Sequence, residues 1–305
     1  MSETATPLQK MTDGRQETED ASAGESIHEH YFGQLHTTVI ESRKGWRWPD
    51  LKELWAYREL FWVLTVRDVK VRYKQTVLGA SWVIIQPLMT MVIFSVIFGG
   101  FAKMPSDGFP YPVFVYAGLL PWTFFASCLT RSGGSVVSQA DLISKVYFPR
   151  VIIPLSSAGA GLVDLLISTG IMLLLMLYFG VGWSFNLLAA PLLLVLVVFA
   201  ALGVGTLISA LNVAYRDFSF LTPFLIQMWM FATPVIYPTS LVPEKWHWLL
   251  YLNPMTGIIG GFRSAFLGTP FDLPAMGISL SISIVLFVVG LLYFQKIERR
   301  FADFI

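Results

Sequence analysis

Six long apolar stretches, only one of which carries a charged residue, leave this chain few ways to fold. They lie at Trp82–Phe101, Val113–Thr130, Val151–Phe179, Leu187–Leu211, Ser219–Pro238 and Ala275–Gln295. A helix of about 20 residues rises about 30 Å, the thickness of a bilayer's hydrocarbon core. Hydrocarbon offers no partner to backbone N–H and C=O groups, so a segment that spans it must be helical unless it closes a barrel. Hydrophobic residues make up 55% of the chain and charged residues 13%, about half the charged share of soluble domains. The expected fold is an all-α integral membrane protein with six transmembrane helices.

Charge placement sets the orientation. Arg67, Lys70, Arg72 and Lys74 precede the first stretch, and Arg131, Lys145, Arg150 and Arg216 lie in the even-numbered connections. Lys296, Arg299 and Arg300 follow the last stretch, whereas the opposite side holds Lys103, Lys245 and Arg263. Basic residues accumulate on the cytoplasmic side, so both termini are expected there. Residues 1–36 are polar and read as a disordered cytoplasmic tail. Residues 37–80 hold a lead-in ending at Trp48-Pro49, then a helix whose Asp50 and Glu53 resemble a capping box. Leu51, Leu54, Tyr57, Phe61 and Leu64 recur on one face among charges, as expected of an amphipathic helix in the interface. Residues 81–305 form the transmembrane domain. Within it, Arg131–Arg150 is a long connection in which Ser135–Ile143 can form a short helix ended by Phe148-Pro149. That helix either docks a cytoplasmic partner or is a solvated loop. Met255–Leu267 is apolar but interrupted by glycines and Arg263, which suits a re-entrant outer segment between spans 5 and 6.

Catalytic chemistry is missing from the sequence. There is no G-x-x-x-x-G-K-[ST] phosphate loop, so the chain is not expected to hydrolyse ATP alone. Ser132-Gly133-Gly134-Ser135 is too common a string to stand for a nucleotide site. His28, His30 and His36 fall in the polar tail, where a metal site would lack fixed geometry; no metal and no catalytic residue is expected. A membrane-embedded glycan-modifying enzyme would need clustered acids or histidines at a membrane face. Asp164 is the charge within a span; it either ties neighbouring helices by pairing with Arg or Lys, or takes part in transport. Aromatic residues, 15% of the chain, gather toward the outer side. They form an interfacial belt or offer ring faces to a sliding glycan; Tyr111, Phe114, Tyr116, Trp122 and Phe125, near Gly118 and Pro121, are the candidates for such a path.

The run Arg67-Asp68-Val69-Lys70-Val71-Arg72-Tyr73-Lys74-Gln75-Thr76-Val77-Leu78-Gly79, with Trp82 and Pro87, resembles the entry to the first span of type-2 ABC exporter permeases. The branch it resembles most exports O antigen, capsular polysaccharide and teichoic acid. Lys145-Val146-Tyr147-Phe148-Pro149-Arg150 with Pro154, Tyr215-Arg216-Asp217, Pro234-Val235-Ile236-Tyr237-Pro238, Asn253-Pro254 and Arg263 extend the resemblance over residues 38–305. It implies a homodimeric channel with two copies of a separate ABC ATPase beneath, which bind the ATP and Mg; this chain binds no cofactor and no nucleic acid. It implies a coupling helix involving Ser135, Ser138, Asp141 (where Asn is the family's residue), Leu142, Lys145, Tyr147 and Arg150. The helix Leu51–Lys74 would be a gate whose Arg67, Lys70, Arg72 and Lys74 attract the pyrophosphate of a lipid-linked glycan as well as anionic lipid. The translocation path would run past Tyr111, Phe114, Tyr116, Trp122, Phe125 and Asp164. A type-2 exporter of a small lipid or drug is the competing function; it needs neither a continuous channel nor a basic mouth.

Overall fold

The computed structural model describes residues 51–74, 81–215 and 217–298. The chain divides into two units, Met1–Gly45 and Trp46–Ile305, and every described residue belongs to the second. The tail with its histidines, the lead-in, the Asp50 cap, the run Gln75–Gly79, Arg216, Arg299 and Arg300 lie outside the described residues.

Among the described residues all regular structure is helical. Helices α1 (Leu51–Ala56) and α2 (Arg58–Lys74) nearly merge, because Tyr57 donates to the Glu53 carbonyl and Phe61 to that of Tyr57. Then come α3 (Ser81–Phe94, continued as a π-helix over Ser95–Phe101), α4 (Tyr111–Ser138), α5 (Ala140–Lys145) and α6 (Ile152–Tyr178). A 3₁₀ turn over Phe185–Ala189 leads into α7 (Ala190–Ala214), followed by α8 (Phe218–Ala232), α9 (His247–Tyr251), α10 (Pro254–Leu267) and α11 (Leu273–Glu298). Among the described residues five helices are long and apolar enough to cross a bilayer: α3 with its π extension, α4, α6, α7 with its 3₁₀ lead, and α11.

The second of these, α4, is the hub. It is apolar on nearly every face and therefore must be surrounded; it packs against α3, α6, α7, α8 and α10. Its hydroxyls cost little, because Thr123, Ser127 and Thr130 return hydrogen bonds to carbonyls three or four residues earlier. A smaller apolar cluster of Val136, Phe148, Val151, Ile153, Ala210, Val213, Leu291 and Phe294 ties the C-terminal ends of α4, α7 and α11 to the start of α6.

Two expectations are corrected. The second span was expected to end at Thr130, yet α4 runs to Ser138 and carries Arg131 with it. Ser-Gly-Gly is poor helix material, but Gly133 lets Ile208 approach to within 2.9 Å of where a Cβ would sit. Asn212 donates to the Gly133 carbonyl at 2.8 Å, and Ser132 and Ser135 hydroxyls donate to the Pro154 and Ser132 carbonyls. The fifth apolar stretch is helical only over Phe218–Ala232, 15 residues, a rise of about 22 Å; beyond it Pro234 cannot continue the bonding, and the chain turns and bends over 233–237. The helix α2 lies against the spans. It runs alongside α6, from Phe61 and Thr65 beside Gly159 to Arg72 beside Asp164.

Asn253 pins the α8–α10 connection. Its Oδ1 accepts from Met255 N at 3.0 Å, capping α10, and from Trp229 Nε1 at 3.0 Å, while its Nδ2 donates to Thr233 Oγ1 at 2.7 Å. Asn253→Ala removes a cap worth about 1 kcal/mol and two further bonds at about 1 kcal/mol each. A loss of about 2–3 kcal/mol is expected, read as a lower melting temperature of the purified protein; an unchanged transition would show that the three bonds are not formed together.

Candidate functional site

Two groups of polar side chains and one exposed platform stand out from the apolar frame. The platform is the α4–α5–α6 connection. Phe148, 3% exposed, and Val151 are sunk into the smaller cluster. The Arg150 backbone N donates to Glu298 Oε1 at 3.0 Å and its Nη1 to the Glu298 carbonyl at 2.5 Å, while Tyr57 donates to the Tyr147 carbonyl at 3.4 Å. The connection is thus rooted in α1 and α11, and it presents Val137, Ser138, Asp141, Lys145, Val146 and Tyr147 to the surface. Leu142 is half-buried and packs on the cluster. Ser135, expected beside these residues, is buried because α4 extends past it; it can act on a partner only through the helix that holds it.

A charge knot forms in the middle of α6. Asp164 lies 12 residues after Ile152, about 18 Å along the helix. Its Oδ2 accepts from Arg72 of α2 and, at 3.3 Å, from Arg131 Nη2 of α4; its Oδ1 accepts from the Tyr73 hydroxyl at 2.7 Å. Arg131 is fixed further by Ser127, whose carbonyl and hydroxyl accept from Nε and Nη2. Burial, followed by the hydrogen bond and the charge of Asp164, pushes the Tyr73 phenol up to about 12. It remains a donor at any physiological pH. The sequence alternative of a helix-tying Asp164 is the arrangement observed, and Arg131 and Tyr73 are partners that the sequence did not single out. No spacing signal links residues 72, 131 and 164. The other cations of α2 point elsewhere: Arg67 pairs with its neighbour Asp68 at 2.8 Å, and Lys70 and Lys74 are exposed.

The third feature is a clamp on the turning backbone after α8. Arg263 of α10, 7% exposed, donates from Nη2 to the Val235 carbonyl at 2.7 Å and from Nη1 to the Tyr237 carbonyl at 3.2 Å. Tyr111 donates to the Ile236 carbonyl between them at 2.8 Å. The guanidinium lies 3.8 Å from the Phe114 ring centroid, and Gly118 leaves it room, since a Cβ there would stand 3.0 Å from Nη2. Three carbonyls that no helix satisfies are thereby satisfied by side chains, as an apolar surrounding demands.

This clamp revises the aromatic path. Tyr111, Phe114, Tyr116, Trp122 and Phe125 are all buried inside the single chain. Tyr116 donates to the Ser168 carbonyl at 3.3 Å, and Phe125 meets Trp229 edge to face at 5.1 Å. Side chains committed to a subunit's core do not line a surface between two subunits. Aromatic character alone could not separate core from lining.

Comparison with known proteins places the chain. The model of the family "ABC-2 type transporter" matches residues 59–267. The chain is 32% identical to the O-antigen export system permease protein RfbA of Klebsiella pneumoniae over 246 residues, covering 80% of this chain and 94% of that protein. It is 28% identical to RfbA of Myxococcus xanthus over 257 residues, with 83% and 98% covered. With the polysialic acid transport protein KpsM of Escherichia coli it shares 25% identity over 208 residues, covering 66% and 79%.

Proposed function

The chain belongs to the ABC-2 type transporter family, as a multi-pass inner-membrane permease of its O-antigen and capsule branch, and we propose that it forms the channel of an ATP-driven exporter of a lipid-linked polysaccharide. The observation that carries the mechanism is the platform: an exposed mixed surface at Val137–Tyr147 rooted in α1, α4, α6, α7 and α11. A surface held that way transmits a push from a partner to several spans at once, whereas a loose loop would absorb it. In this reading the platform rests on a separate ABC ATPase, present as two copies, which binds ATP and Mg and does the hydrolysis.

The rest of the subunit takes consistent roles. Both termini and the platform are cytoplasmic. The fifth of the six spans is α8 continued by the clamped backbone, and α10, buried except at Gly260, is the re-entrant segment of the outer half before the sixth, α11. The channel lies between two copies of the chain. Exposed apolar faces on α3 (Trp82, Ile93) and α8 (Phe220, Phe224, Met228) suit contact with the second copy or with lipid. ATP binding must favour the open arrangement over the closed one, since a ligand shifts an equilibrium only by its differential affinity.

The test is export in proteoliposomes containing the full-length chain and its ATPase, with lipid-linked glycan supplied. Lys145→Glu combined with Tyr147→Ala is expected to reduce ATP-dependent glycan export at least about tenfold, the scale of an interface hot spot, while the permease still purifies as a folded protein. Assembly with the ATPase that moves a small lipid but no glycan would replace the reading with that of a small-lipid exporter.

A further inference from the structure

The knot is unbalanced in charge. Two guanidiniums converge on one carboxylate oxygen while Tyr73 remains neutral, leaving a net +1 about 18 Å along a membrane-spanning helix. A net charge at that depth is costly unless an anion answers it. Both arginines meet the same oxygen, Asp164 Oδ2, while Oδ1 accepts from Tyr73. A pyrophosphate presents several oxygens at tetrahedral spacing, and so gives each planar guanidinium its own pair of acceptors.

The knot is also reachable. The side chain of Arg72 is 40% exposed and that of Arg131 26%, against 15% for Asp164, so an anion meets the arginines before the carboxylate. Little else ties α2 to α6 by polar contact: Thr65 Oγ1 approaches the Ser156 carbonyl only at 3.5 Å, and Leu64 and Thr65 are the buried residues of the helix. Losing the arginine–carboxylate contact leaves α2 held by the Tyr73–Asp164 hydrogen bond and a short apolar patch.

Resting on the reading of the chain as an exporter of a lipid-linked substrate, we infer that Asp164 is a built-in competitor for the substrate's phosphoanion. It holds Arg72 and Arg131 in the resting subunit, and an isoprenoid-linked pyrophosphate displaces it and releases α2 from α6. The ligand's gain lies in binding the released state, where both arginines are available, better than the latched one. The latch thereby reports that substrate is loaded. The exposed Lys70 and Lys74, which have no ion-pair partner among the described residues, attract anions without this consequence.

The experiment uses the full-length chain in phosphatidylcholine nanodiscs, titrated with undecaprenyl pyrophosphate and, separately, with undecaprenol. Wild type is expected to prefer the pyrophosphate. Asp164→Asn, which removes the competitor, is expected to bind it about tenfold more tightly, because apparent affinity scales with the competent fraction; Arg131→Gln is expected to bind it at least about tenfold more weakly. Spin labels at V71C and L166C, both exposed, read the α2–α6 distance, and Cys128 is buried away from the label. The distance is expected to increase with pyrophosphate in wild type and to be increased already, without ligand, in Asp164→Asn.

A purely structural Asp164 predicts weaker or unchanged binding in Asp164→Asn, and that result overturns the latch while leaving the export reading in place. Equal binding of alcohol and pyrophosphate by wild type overturns both. Discs containing phosphatidylglycerol separate the sources of phosphate: full competition by that lipid assigns the site to bulk headgroups and overturns the substrate assignment. If Asp164→Asn does not yield folded protein, Arg72→Gln is read with the same labels. A distance already increased without ligand, and insensitive to it, supports the latch; a wild-type distance overturns it.

Discussion

Gly290→Leu is expected to abolish accumulation of folded permease in the membrane. A Cβ at residue 290 would fall on the Gly203 carbonyl oxygen of α7 and 2.6 Å from Thr206 Oγ1. The crossing is reciprocal: a Cβ at Gly203 would stand 2.6 Å from the Phe287 backbone nitrogen and 2.8 Å from the Leu286 carbonyl carbon. Apart from Thr206 Oγ1 these obstacles are backbone atoms, which no rotamer change can move aside. Small residues at such contacts are what lets two membrane helices approach closely. Ordinary overpacking costs about 1–3 kcal/mol; here α7 and α11 must separate bodily, and the loss is expected to exceed about 3 kcal/mol. Gly277 of the same helix has no neighbour within 4 Å, and Gly277→Leu is the control for added bulk and hydrophobicity. Size-exclusion profiles and melting curves of the two variants decide: similar behaviour of both would show that α7 and α11 do not cross at Gly203 and Gly290.

The second large effect is at Arg263. Replacing it with Met keeps most of the volume and removes both donors to the Val235 and Tyr237 carbonyls. Hydrogen bonds to a charged donor contribute about 1.5–3 kcal/mol each, and a desolvated cation over a ring about 2 kcal/mol. Relief from burying the guanidinium offsets part of this, leaving an expected net loss of about 2–4 kcal/mol. The local consequence is the sharper one. With Tyr111 holding only the Ile236 carbonyl, the backbone over 235–237 has lost two of its three side-chain anchors and opens more often. Thiol labelling at I236C, a position 4% exposed, is expected to rise at least about tenfold in the Arg263→Met background. Arg263→Lys is expected to behave much like Met, because an ammonium cannot fork to two carbonyls and stack on Phe114 at once. Full protection of I236C in the Lys variant would mean that charge, rather than the planar fork, holds the segment.

The helical membrane fold and the transport family were legible in the sequence, for different reasons. Long apolar runs leave the backbone no alternative to internal hydrogen bonding, so the existence of the helices at Trp82, Val151, Leu187 and Ala275 did not depend on neighbours. The motifs around Arg67–Lys74, Lys145–Arg150 and Asn253-Pro254 carried the family resemblance, and the family match over residues 59–267 bears it out. Boundaries were less legible where tertiary contacts overrode local preference. Ser132–Ser135 reads as a loop, but Asn212, Ile208 and Pro154 hold it in α4. Pro234–Pro238 reads as the end of a span, but the helix has already stopped there, and Arg263 and Tyr111 hold the carbonyls of its turns.

What the sequence determined by itself was solvent and secondary structure: which segments need hydrocarbon, that they must be helices, and that Asp164 had to find a partner. Which partner was a matter of tertiary structure. Arg72, Arg131 and Asp164 are separated by 59 and 33 positions along the chain, and only the packing of α2 and α4 on α6 brings them to one carboxylate. Burial was decided in the same way, since Tyr111 and Phe114 look like any interfacial aromatic until α10 places Arg263 against them. Hydropathy and backbone bonding act within a segment and leave their mark in local composition; ion pairs and core contacts depend on which segments meet.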